Sequence, residues 1–95
     1  LTTGASYSSM FVRAYQAEST KPAVQSLDLH AKELRDISVV NMAVDESAFH
    51  DCQEILRAAR EEMRARIEKV EDPDRVMRLA IAFFPVAFAS GGEKV

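Results

Sequence analysis

Residues 76–89 read VMRLAIAFFPVAFA, a run of 14 positions in which Arg78 is the single charge. Helical residues three and four apart share a face, and wound as a helix this run is apolar on nearly every side. A helix without a polar face has to be covered all round. The cover can come from the rest of its own chain, from a second protein chain or from lipid. The run is too short for the ~20 residues that span a bilayer as a helix. Pro85 removes a backbone donor and is expected to kink or end the helix near Phe84.

Punctuation elsewhere is sparse. The glycines are Gly4, Gly91 and Gly92, the prolines Pro22, Pro73 and Pro85, and neither type occurs between Pro22 and Pro73. A sheet protein needs turns, and turns need these residues, so the pattern favours helices. Four helical segments are expected. The first covers about Ser6 to Glu18, with Tyr7, Met10, Phe11 and Ala14 on one stripe. Ser19 and Thr20 then offer a cap, and Pro22 falls in the first turn of the next helix, where its missing N–H costs nothing.

That second helix carries Val24, Leu27, Ala31, Leu34 and Ser38 at steps of three and four. It runs into Ile37-Ser38-Val39-Val40-Asn41-Met42-Ala43-Val44, whose β-branched residues also suit a strand. No partner strand is evident, and a lone strand leaves its backbone groups unpaired, so helix is preferred. The third helix starts at Asp45 or Ser47 and runs to Glu71, about 40 Å. Phe49, Cys52, Leu56, Ala59, Met63 and Val70 keep a heptad spacing, and Ile55 and Ile67 fill the gap at Arg66. Arg57 with Glu61, Glu62 with Arg66 and Arg64 with Glu68, each four apart, lace the opposite face. Asp72-Pro73-Asp74 is a helix-start signal for the fourth segment, and Ser90-Gly91-Gly92 a stop.

The expected architecture is an all-α single domain over residues 1–95. It is a small bundle of three to four helices with one long central helix, and residues 1–5 and 91–95 are flexible ends. Hydrophobic residues make up 47% and charged residues 28% of the chain, which argues against disorder. The net charge of −3 supplies no field to attract nucleic acid. Cys52 is the lone cysteine, so no internal disulfide forms, which fits a reducing compartment. Residues 1–17 hold no acid, several serines and threonines, and Arg13 as the one cation. That composition fits an ordinary flexible terminus and, less well, the end of an organelle-targeting stretch, so the start at Leu1 is compatible with processing or truncation.

No set of residues reads as an active site. His30, Glu33, Glu46, His50 and Glu54 suggest a metal, but a di-iron bundle needs Glu-x-x-His, and here His30 precedes Glu33 and Glu46 stands four before His50. His50 points away from the apolar stripe, which fits a solvated histidine. Cys52 lies on the stripe as a structural thiol, and His50, two residues away, diverges from it on a helix. Arg57, Arg60 and Arg64 share an edge with Glu61 and Glu68, which cancels most of their field. No phosphate loop, nucleophile elbow or zinc spacing occurs.

The expected function is a non-catalytic assembly or adaptor module, or a small subunit of a larger complex, acting by helix–helix packing with a protein partner or a second copy. Met77, Ile81, Phe84 and Phe88 are the candidate contact residues, and no cofactor is called for. The alternative is a small helical enzyme or ligand- or metal-binding bundle using His30, His50 and nearby acids. Contact with a membrane surface ranks third, because the run lacks the cationic polar face and flanking Trp of an interfacial anchor.

Overall fold

The computed structural model of the chain describes residues 3–89, with side chains from residue 8 onward. The described residues form an all-helical structure without strands: α1 over Thr3–Leu29, a short 3-10 turn over Lys32–Leu34, and α2 over Glu46–Ile67. The expected flexible ends fall largely outside the described residues, as does the expected stop at 90–92. Two compact units are present, one of Leu1–Ile37 with Arg78–Val95, the other of Ser38–Met77.

In the first unit, α1 passes straight through the break expected at Ser19-Thr20, with Pro22 inside it. Thr20 does not cap a new helix. Its Oγ1 turns back and donates to the carbonyls of Gln16 and Ala17, both at 3.1 Å, reinforcing the turn before the proline. Pro22 has no N–H for the Glu18 carbonyl, so the helix loses a hydrogen bond there but keeps its φ. Lys21 pairs with Glu18 at 2.8 Å across the same turn. The helix ends where the His30 N–H donates to the Ser26 carbonyl at 3.0 Å. Arg35 Nε donates to the His30 carbonyl at 3.2 Å, a cation at the negative end of the helix dipole.

The expected second helix is therefore replaced by the end of α1 and the 3-10 turn, closed by Leu34 N–H to the Ala31 carbonyl at 2.9 Å. Residues 35–45 adopt neither helix nor strand. Ile37, Val39, Val40 and Val44 lose side-chain freedom in a helix, and no neighbouring strand meets their backbone groups, so neither regular form is favoured.

In the second unit, α2 starts where the sequence places it. Asp45 is the N-cap, in extended conformation, and its side chain accepts from Ala48 N–H at 2.8 Å. Glu46 stands in the first turn and Arg64 and Arg66 in the last, each matching the dipole. The helix stops at Ile67, short of Glu71, which makes it about 33 Å long. Its end tightens into i→i+3 bonds, Lys69 N–H to Arg66 at 3.2 Å and Val70 N–H to Ile67 at 2.9 Å.

The expected fourth helix is absent: residues 70–89 carry neither helix nor strand. Within the expected first turn, Asp74 accepts from Arg75 Nε at 2.9 Å and from Arg75 Nη2 at 3.2 Å. A helix of this length is marginal without packing, and Val76, Ile81, Phe83, Phe84, Val86 and Phe88 are poorer helix formers than the alanines between them. The same residues also alternate, with Met77, Leu79, Ile81 and Phe83 separated by Arg78, Ala80 and Ala82, a spacing that suits extended backbone as well as a helix.

Candidate interaction surface

No side chain among the described residues is buried. Along α2 the apolar stripe is graded. Ala48, Phe49, Cys52 and Leu56 are half-buried, whereas Met63 and Ile67 are exposed. Ala59, Glu62, Met63, Arg66 and Ile67 line an open depression on this exposed end. Cys52, expected as a buried thiol, is only half-buried.

The face of α2 away from the stripe is ion-paired in the pattern that cancels a field. Arg57 reaches back to Glu54 at 3.2 Å, and Arg64 bridges Glu61 at 3.0 Å and Glu68 at 2.6 Å. The expected Arg64–Glu68 pair forms. Arg57 takes Glu54, three residues back, where the sequence suggested Glu61, and Glu61 pairs with Arg64. All these groups are solvated, so each pair contributes at most a few tenths of a kcal/mol.

The two histidines belong to different units. His50 is exposed, its Nδ1 3.0 Å from Gln53 Oε1, its Nε2 3.7 Å from Glu46, and its ring tilted against Phe49 at 5.5 Å between centroids. His30 Nδ1 lies 2.8 Å from Ser26 Oγ. Among the described residues no three His, Cys, Asp or Glu side chains come together as a metal would require.

The four candidate contact residues are exposed, Met77 in the second unit and Ile81, Phe84 and Phe88 in the first. Among the exposed large apolar side chains of the run, exposure ranges from 39% at Ile81 to 98% at Val76. Phe83, outside the expected set, is half-buried. Arg78 has a role that sequence reasoning missed. Its Nη1 donates to the Ser19 carbonyl at 3.2 Å, tying the start of the run to the middle of α1. The available signal was a lone charge in an otherwise apolar stretch. Next to the run, the Arg75 guanidinium hydrogen-bonded to Asp74 holds that carboxyl below its ordinary range. Arg75 is raised in turn by the same contact.

Residues 1–86 match the family described as "Domain of unknown function (DUF4423)". The chain belongs to this family. No curated protein and no solved structure matches it. Among the described residues no helix is long and apolar enough to cross a membrane.

Proposed function

We propose that this DUF4423 chain is a non-catalytic assembly or adaptor module, or a small subunit of a larger complex, that packs its apolar surfaces against another protein chain or a second copy. The observation that carries the reading is the run from Val76 to Phe88, apolar apart from Arg78, without regular structure and exposed at Met77, Ile81, Phe84 and Phe88. Exposed apolar side chains in such number mark a surface that is covered in use.

In this reading the chain acts as one helical domain. α1 and α2 supply two members of a small bundle of three to four helices, α2 is its central helix, and residues 72–89 complete it once covered.

Light scattering after size exclusion, across at least a tenfold dilution and with circular dichroism on the same samples, tests the proposal. Self-association, or poor folding of the chain alone, is expected. Ile81→Asp and Phe84→Asp should shift the oligomeric state or the solubility. A monomer at every concentration whose state and solubility ignore both substitutions would overturn it.

A further inference from the structure

We draw no further inference here: the strongest candidate, the apolar stripe of α2 running from half-buried Cys52 and Leu56 to the open depression around Met63, is a helix face of which nothing in the structure shows what covers it.

Discussion

Replacing Asp45 with alanine should loosen the start of α2. The Asp45 carboxylate accepts from Ala48 N–H at 2.8 Å, and the Asp45 carbonyl accepts from Phe49 N–H at 2.9 Å. Asp45→Ala removes the first bond and leaves the second, so one of the orphan donors of the first turn passes to water. Because the site is exposed, the loss is that of an ordinary cap, about 1 kcal/mol, or a factor of about 5 in the local helix equilibrium. Circular dichroism at 222 nm should fall, and the Ala48 amide should exchange its hydrogen about 5 times faster. Asp45→Asn retains an oxygen acceptor and gives up only the charge at the positive end of the dipole, about 0.3–1 kcal/mol. Its signal should lie between wild type and Asp45→Ala. Equal helix content and equal Ala48 exchange in wild type and Asp45→Ala would refute the assignment of Asp45 as the cap.

Other expectations follow from exposed geometry. Pro22→Ala restores a donor for the Glu18 carbonyl inside α1 and should raise helix content, since proline costs up to about 3 kcal/mol in a helix interior; unchanged or lower ellipticity would contradict a continuous α1. Arg64→Ala deletes the pairs to Glu61 and Glu68 and should cost less than about 1 kcal/mol. In 1 M salt, where charges are screened within ~3 Å, the variant should match wild type, and a larger or salt-independent loss would show that Arg64 does more than pair. Half-buried Cys52 should react with a thiol reagent in the native chain, more slowly than in denaturant; complete protection of the isolated chain would mean the stripe is already covered.

What the sequence made legible were features decided within one turn of the chain. The start of α2 is such a case: an acid that can cap, a second acid behind it, and apolar residues at helical spacing are all local, and Asp45 caps where the pattern indicates. The Arg64–Glu68 pair is local too. The ends of helices were less legible, because Asp28 to Ile37 and Glu68 to Glu71 contain good helix formers with no glycine to mark a stop. Thr20 misled for a specific reason. A threonine before a proline can cap forward or bond backward, and here its hydroxyl takes the Gln16 and Ala17 carbonyls.

The run after Asp72 misled for a deeper reason. Its start signal and its composition both suit a helix, but most helical stability in proteins comes from packing, which no local pattern records. Met77, Leu79, Ile81 and Phe83 also alternate with Arg78, Ala80 and Ala82, a spacing the helical reading left out of account. The candidate surface was visible as composition. The use of Arg78 was not, because its partner is a backbone carbonyl 59 positions earlier.

That separation has a kinetic meaning. Bringing together the ends of a 59-residue segment costs about 3.6 kcal/mol in loop-closure entropy, before any constant for the first contact. A hydrogen bond from a guanidinium contributes only about 1.5–3 kcal/mol net. The Arg78–Ser19 link therefore cannot gather the chain by itself. It follows other events: helices such as α1 and α2 form within about a microsecond from neighbouring residues, whereas contacts between distant residues come later. By this reckoning the Arg78–Ser19 bond is a joint made on a chain already shortened by its local helices, and not a seed for them.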